Sequence, residues 1–433
     1  MTPLTIGTLG CLALLLLLVC SLPVGLVMGI VGAAGYAFVV SGKAALAMLS
    51  ADLYDVFSNY SLTVIPLFVF MGQVAFHTGI SGRLFAAANC WMSSLRGGLA
   101  MATVGACAAF GAICGSGPAT AATMAAVALP EMRRYRYDDA LASGTVAAGG
   151  SLGMLIPPSV VFIVYGILTE QSIGKLFIAG IVPGLLVSIL FCATISAICW
   201  FNPKLAPATV AVSWRARVRS LAGVLETLVL FAFVMGGMFA GWFTPTEAAA
   251  IGAAGSVAIA AVGGHCSLRM LWTAAQETLR TSCMVMTIVA GATIFGHFLA
   301  VTGLPMQFAA MLAGLPVPPW VVVALIIAFY LVAGCFIDSL ALILLTVPIF
   351  HPVIQGFGYD PIWFGVMIVL VTQMGVITPP VGVNVYVVSC IERSIPLQTV
   401  FRGAMPFLLA LLVASALLVC FPGIATWLPG RMR

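Results

Sequence analysis

The chain has 433 residues, of which 62% are hydrophobic and only 7% are charged, with a formal net charge of +5. Water-soluble domains carry about 25% charged residues, so this composition excludes a soluble enzyme or a soluble binding domain. We therefore predict an all-α membrane protein that crosses the bilayer many times.

The first half of the chain contains apolar stretches close to the ~20 residues that span a bilayer as a helix. Glycine and proline at Gly115–Pro118 interrupt one of these stretches, so both of its ends are expected on the same side, as in a re-entrant hairpin. The predicted elements of residues 1–201 are spans at 4–20, 22–40 and 61–78, an amphipathic stretch at 80–97, a hairpin at 98–130, a span at 140–168 broken at Pro157, and a span at 176–200.

A basic linker at 202–220 separates this half from a second series of similar elements. The predicted elements of residues 221–433 are spans at 221–241 and 246–262, an amphipathic stretch at 265–281, a span at 283–301, a hairpin at 320–350, a broken span at 362–390, and a span at 404–421. Both series thus contain three spans and an amphipathic stretch, followed by a hairpin, a broken span and a last span.

Individual residues repeat with the same spacing. Tyr137, Asp138, Gly153, Pro157 and Pro158 return as Tyr359, Asp360, Gly375, Pro379 and Pro380, since 359 − 137, 375 − 153 and 379 − 157 all equal 222. A double proline removes two backbone donors and moves the preceding residue out of the α region, so each copy is expected to break a helix.

The distribution of basic residues predicts that the two repeats have inverted topology. Arg133, Arg134 and Arg136 precede the first double proline, whereas the equivalent segment 351–361 has no Lys or Arg. Because Lys and Arg collect in short cytoplasmic loops, the two equivalent loops are expected on opposite sides, with both chain termini periplasmic. The alternative of two parallel repeats would place one arginine-bearing stretch outside. The linker, with Lys204 and three arginines, is expected to be cytoplasmic.

Two hairpin tips and two helix breaks can form binding sites without titrating side chains. Exposed carbonyls at a break can coordinate a cation, and amides at a helix N-terminus can face an anion. Such sites suit spans that hold few charges, because a lone charge at the bilayer centre costs about 2.5 to 3.5 kcal/mol on insertion scales.

Four motifs resemble the large membrane subunit of tripartite ATP-independent periplasmic (TRAP) transporters. They are Gly115-Ser116-Gly117-Pro118-Ala119-Thr120, Gly153 through Ile156-Pro157-Pro158-Ser159, Phe243-Thr244-Pro245-Thr246-Glu247-Ala248, and Thr378-Pro379-Pro380-Val381-Gly382-Val383-Asn384. The resemblance covers essentially the whole chain. It implies sodium-driven uptake across the bacterial inner membrane by an elevator motion of the hairpin-bearing domain. The implied partners are a small TRAP membrane subunit, a periplasmic substrate-binding protein and a small organic anion, with no nucleic acid.

The resemblance also implies two Na⁺ sites and no organic cofactor. The first would use Gly111, Cys114, Gly153, Ile156 and Pro157, and the second Gly334, Gly375, Thr378 and Val381. Most of these residues would act through main-chain oxygens, which suit a hard cation. Members of the family commonly have serine at the position of Cys114. If that position supplies a hydroxyl, the first site is weakened in this chain; if it supplies a carbonyl, the site is kept.

The substrate, an organic anion and specifically a carboxylate, is expected between the two hairpin tips. The candidate residues are Ser116, Thr120, Ser159, Asp338, Ser339 and Asn384. The serines and threonines could instead serve helix packing. Asp338 could be a helix cap or a sodium partner, because an uncompensated carboxylate would repel an anionic substrate.

Two alternative function classes are a stand-alone symporter and an intramembrane enzyme. A stand-alone sodium or proton symporter for dicarboxylates could use the same inverted hairpins without partners. An intramembrane enzyme is disfavoured because the chain contains no H-E-x-x-H or G-x-S-x-G motif and no clustered set of His and acidic ligands.

Overall fold

The computed structural model of the chain describes residues 2–20, 22–206, 212–313 and 318–432. The described residues form helices joined by short turns, and no strand occurs among them. Part of the predicted linker, residues 207–211, lies outside the described residues. The prediction of an all-α membrane protein is confirmed: in the described part of the chain, seven helices are long and apolar enough to cross a bilayer, or eight if one bent pair counts as a span.

The first half contains ten helices among its described residues. They are α1 (Pro3–Val19), α2 (Val24–Val39), α3 (Gly42–Ser58), α4 (Val64–His77), α5 (Ile80–Met92), α6 (Gly98–Cys114), α7 (Gly117–Arg134), α8 (Asp139–Leu155), α9 (Val160–Leu168) and α10 (Ile173–Phe201). α3 was not predicted. Lys43, Asp52 and Asp55 interrupt the apolar pattern of this segment, so its composition does not indicate a membrane span.

The second half follows the same order. Its helices are α11 (Trp214–Ala222), α12 (Leu225–Phe239), α13 (Pro245–Val262), α14 (Leu268–Thr302), α15 (Leu304–Ala313), α16 (Pro319–Gly334), α17 (Ser339–Gly356), α18 (Pro361–Gly375), α19 (Val383–Ile391), α20 (Leu397–Cys420) and α21 (Gly423–Thr426). Several helices begin at equivalent positions. α7 begins at Gly117 and α17 at Ser339, and 339 − 117 = 222. α8 and α18 begin at Asp139 and Pro361, again 222 residues apart.

One predicted boundary in the second half was wrong. The amphipathic stretch 265–281 and the span 283–301 are not separate elements, because α14 runs without interruption from Leu268 to Thr302. In the first half, Asn59 caps a short 3₁₀ turn over Tyr60–Thr63 that separates α3 from α4. The segment around Thr281 and Ser282 contains neither glycine nor proline, so nothing there stops the helix.

The helices pack as two groups. In one group, α2 and α4 pack on α14, and α13 packs on α4; in the other, α6, α7, α18, α19 and α20 pack around α8. Glycines bring helix axes close within each group. A Cβ on Gly291 of α14 would lie 2.0 Å from the Gly25 carbonyl oxygen of α2, and one on Gly144 of α8 would lie 2.1 Å from the Gly403 carbonyl carbon of α20. Such close crossings allow dispersion contacts that hold helices together in lipid.

Candidate functional site

The first hairpin tip lies directly against the first helix break. α6 ends at Cys114, α7 begins at Gly117, and the break covers the residues between Leu155 and Val160. A Cβ placed on Gly111 would lie 2.7 Å from Gly153 Cα, so the two backbones are in contact. The predicted residues Gly111, Cys114, Gly153 and Ile156 are therefore close in space, on two elements that the sequence separates by about 40 residues.

One hydrogen bond joins this tip to the break, and a second lies within the break. The Val160 N–H donates to the Gly115 carbonyl oxygen over 3.4 Å, and the Ser159 hydroxyl donates to the Met154 carbonyl oxygen over 2.5 Å. Gly115 has φ = 65°, a left-handed conformation that glycine adopts more readily than other residues do. A Cβ at this position would lie 2.5 Å from the Pro158 carbonyl oxygen. The tip and the break therefore form one rigid unit.

The second hairpin tip and the second break have the same relation. A Cβ on Gly375 would lie 2.4 Å from the Gly334 carbonyl carbon, and the Val381 N–H donates to the Cys335 carbonyl oxygen over 3.2 Å. The Thr378 hydroxyl donates to the Met374 carbonyl oxygen over 2.5 Å, and its oxygen keeps lone pairs that can bind a cation. Gly334, Gly375, Thr378 and Val381 are thus brought together.

The two breaks differ in exposure. Pro157 and Pro158 of the first break are buried, whereas Pro379 and Pro380 are exposed and Val381 is 38% exposed. Equivalent positions therefore have different surroundings. The first break is covered by protein, and the second opens to the surface.

Equivalent residues of the two halves meet between the breaks. The Ser151 hydroxyl lies 3.4 Å from the Gln373 Oε1 atom, and 373 − 151 = 222. The Asn384 amide donates to the Ala147 carbonyl oxygen over 3.1 Å. Within the described chain, Gln373 Nε2 and Asn384 Oδ1 are buried and have no hydrogen-bond partner. This polar cluster joins α8 to α18 and α19.

A cavity of about 840 Å³ lies between the two groups of helices. One wall is formed by both hairpin tips, at residues 114–119 and 338–341, and the facing wall by α2, α4 and α14. The candidate substrate residues Ser116, Asp338 and Ser339 border this cavity. Its volume accommodates a small organic molecule.

The other three candidate substrate residues lie behind the cavity wall. Thr120, Ser159 and Asn384 are fully buried. The Thr120 hydroxyl donates to the Ser116 carbonyl oxygen over 2.8 Å, so it braces the first tip, as Ser159 and Asn384 brace the breaks. These three side chains therefore stabilise the hairpin tip and the helices that position the residues bordering the cavity.

The two helix N-termini at the cavity are not equivalent. Asp338 is the N-cap of α17, and its Oδ2 accepts a hydrogen bond from the Leu340 N–H over 3.0 Å, which confirms the cap interpretation. Ser116 is the N-cap of α7 and its side chain makes no capping bond. The Gly117 and Ala119 N–H groups of the first turn therefore receive no side-chain cap, Pro118 has no N–H, and the positive end of the α7 dipole borders the cavity, where it favours an anion.

Sequence reasoning missed the polar residues of the facing wall. Gln73 of α4 and Thr281 and Thr287 of α14 border the cavity. In the sequence, only its position as a polar residue inside an apolar span indicates a functional role for Gln73. The two threonines resemble ordinary packing residues.

A family model for the tripartite ATP-independent periplasmic transporter, DctM component, matches residues 11–424 of the chain. The chain is 37% identical to the C4-dicarboxylate TRAP transporter large permease protein DctM of Pseudomonas aeruginosa, over 88% of this chain and 89% of that protein. It is 35% identical to the sialic acid TRAP transporter large permease protein SiaM of Vibrio cholerae, over 86% of each.

The fold is similar to the crystal structure of the Alcanivorax borkumensis YdaH transporter, with a TM-score of 0.62, 17% sequence identity and 98% of both chains covered. The curated relatives are transporter permeases, which confirms the interpretation of the chain as a transporter and not an enzyme. The chain therefore belongs to the tripartite ATP-independent periplasmic transporter family, as a DctM component.

Proposed function

We propose that the chain is the large permease of a sodium-coupled system that imports an organic anion, specifically a carboxylate, across the bacterial inner membrane. A periplasmic substrate-binding protein delivers the substrate, a small membrane subunit completes the permease, and both termini of this chain are periplasmic. The observation that carries the proposal is the pair of hairpin tips, each packed on a helix break, that together form one wall of the cavity.

The two tip-and-break units supply the oxygens that sodium needs. Among the described residues no group of three or more His, Cys, Asp or Glu side chains is placed to hold a metal. The carbonyls at the breaks and the Thr378 hydroxyl are hard, uncharged donors, which suit Na⁺ better than a transition metal. One residue of the first set, Cys114, contributes a soft sulfur side chain, so its carbonyl is the expected ligand.

The substrate carboxylate is expected at the N-terminus of α7. Ser116 leaves the α7 backbone donors uncapped, and residues 116–119 border the cavity. The equivalent end of α17 is already satisfied by Asp338. The named substrates of the two curated relatives, C4-dicarboxylate and sialic acid, both carry a carboxylate, which supports this substrate class.

The difference between the two breaks supports an elevator mechanism with inverted repeats. If the two halves are related by a twofold axis in the membrane plane, a domain midway between its end states would expose both breaks equally. Here the second break is open and the first is buried. This asymmetry is expected of a domain displaced to one side, with α2, α4 and α14 as the fixed wall.

Transport in proteoliposomes tests the proposal. The chain is reconstituted with its small subunit, and the binding protein encoded beside it is added with radiolabelled carboxylate. Uptake is expected only with an inward Na⁺ gradient and with the binding protein present. Uptake without the binding protein would establish a stand-alone symporter instead, and uptake driven by a proton gradient in the absence of Na⁺ would refute sodium coupling.

Cys114→Ser tests how the first tip binds sodium. If Cys114 acts through its carbonyl, the sodium concentration for half-maximal uptake is expected to stay within about twofold of the wild-type value. If a hydroxyl is the better ligand, the same concentration falls. A sodium titration of uptake measures either result. Cys90→Ser on α5, which lies outside both sites, is the control, and a severe loss confined to Cys114→Ser would contradict both the carbonyl role and the hydroxyl role of this position.

A further inference from the structure

The basic linker contains an amphipathic helix that no step of transport uses. α11 covers Trp214–Ala222 and carries Arg215, Arg217 and Arg219. No Asp or Glu occurs between residues 202 and 225, so no acidic residue of the linker neutralises these charges. The helix therefore presents a concentrated positive charge at one end of the bundle.

The apolar residues of α11 lie on one face. Trp214, Val218 and Leu221 follow the i, i+4, i+7 spacing of a helix stripe and are 65%, 51% and 38% exposed. At about 100° per residue, Arg215 and Arg219 lie together along one edge of this stripe. Both arginines are exposed, and neither forms an ion pair with the described residues.

The opposite edge of α11 packs against α5 and the turn that follows it. Arg217 is half-buried, and its Nη2 donates to the Ser94 hydroxyl over 3.1 Å. The Trp214 ring meets the Trp91 ring of α5 edge to face, with centroids 5.6 Å apart. One arginine thus fixes the helix against the bundle, while the other two point away from it.

α11 turns away from the direction of the next helix. α11 and α12 are bent by 58° across Gly223 and Val224. The exposed stripe of α11 continues into Leu225, Leu228 and Val229 of α12, which are 57%, 41% and 57% exposed. Because α12 is apolar and lies in the membrane, this continuity brings Trp214, Val218 and Leu221 to the boundary of the lipid.

We propose that α11 is a binding site for anionic phospholipid headgroups. The Arg215 and Arg219 guanidiniums contact lipid phosphates, and Trp214, Val218 and Leu221 insert at the level of the acyl boundary. Charge complementarity selects an anionic lipid over a zwitterionic one, because each basic residue near an anionic surface contributes about 1 kcal/mol, or about a fivefold preference. The linker is thereby anchored to the same leaflet as the base of the first hairpin, since α11 packs on α5 and α5 packs on α6.

Lipid retention by the intact protein tests the site. The purified chain is exposed to mixtures of phosphatidylglycerol and phosphatidylcholine, and bound lipids are counted by native mass spectrometry. The double variant R215Q/R219Q is expected to lower the preference for phosphatidylglycerol at this site by about 25-fold, which is about fivefold for each arginine. The control R134Q/R136Q removes two exposed arginines at the base of the first hairpin and is expected to stay within about twofold of the wild type.

Quenching of Trp214 tests the insertion independently. The Trp214 signal is the fluorescence difference between the wild type and W214F in nanodiscs that contain brominated lipid. We expect brominated phosphatidylglycerol to quench this signal more strongly than brominated phosphatidylcholine does. Equal losses of lipid preference in both double variants would show that the preference comes from the general surface charge of the protein. An unquenched Trp214 would show that protein, such as the small subunit, covers the apolar stripe of α11. Either result overturns the proposal.

Discussion

Gly375→Ala is expected to lower sodium-driven uptake by about 10- to 100-fold while the protein still inserts and purifies normally. The added Cβ would lie 2.4 Å from the Gly334 carbonyl carbon and 2.5 Å from its oxygen. These are backbone atoms of α16, so no flexible side chain can move aside. Overpacking of this kind costs about 1 to 3 kcal/mol, and here it separates the second hairpin from its break. Uptake in proteoliposomes at saturating Na⁺, together with size-exclusion behaviour, measures both parts of the expectation.

Two further glycines make the test specific. Gly334→Ala should cause a smaller loss, because its Cβ would lie 3.3 Å from Gly375 Cα, a distance that a shift of a few tenths of an ångström relieves. Gly356→Ala is the control, since it lies on the same hairpin and its Cβ would meet nothing within 4 Å. Equal activity of Gly375→Ala and Gly356→Ala would show that close contact between hairpin and break is unnecessary for transport.

Local chemistry made the helix interruptions predictable. A double proline removes two adjacent backbone donors and moves the preceding residue out of the α region, so Pro157 and Pro379 could be assigned to breaks without knowledge of the packing. The structure ends α8 at Leu155 and α18 at Gly375, close to those prolines. The continuity of α14 was not predictable in the same way. Its first turns are amphipathic and its later turns apolar, and a change of polarity does not end a helix.

The sequence alone could not predict which side chains form pairs between distant helices. In the sequence, His297 is one histidine within an apolar stretch; in the structure, its Nδ1 lies 2.8 Å from Oδ2 of Asp52, which is 245 residues earlier in the chain. Arg133 was interpreted as a topology determinant, and its guanidinium also bridges Asp139 and Glu392, each over 3.1 Å. Such partners come from long-range packing, which one sequence does not encode in any local pattern.

In the candidate site, too, the local turns were predictable from the sequence and the tertiary contacts were not. The motifs identified both tips, because glycine, serine and proline mark turns directly. They could not separate Ser116, which borders the cavity, from Thr120, which turns its hydroxyl back to the Ser116 carbonyl. Small polar residues have both uses in membrane helices, and only the orientation of the helix decides between them.

Thr378→Val is expected to raise the sodium concentration for half-maximal uptake by about 10-fold or more, with little change in the yield of folded protein. Valine keeps the shape of threonine but removes the hydroxyl oxygen from the second break. Interactions of a polar group with a charge contribute about 1.5 to 3 kcal/mol, which corresponds to at least about 10-fold in affinity. Sodium titration of uptake in proteoliposomes measures the shift.

Thr378→Ser is the matched control for this prediction, because it keeps the oxygen that donates to the Met374 carbonyl and loses only a methyl group. Its sodium dependence should remain within about twofold of the wild type. Thr378→Leu, which fills the break with a bulky apolar side chain, should abolish sodium dependence altogether. If Thr378→Val and Thr378→Leu both transported with normal sodium dependence, the second break would not be a sodium site, and the coupling ion would have to bind at oxygens outside Gly334, Gly375, Thr378 and Val381.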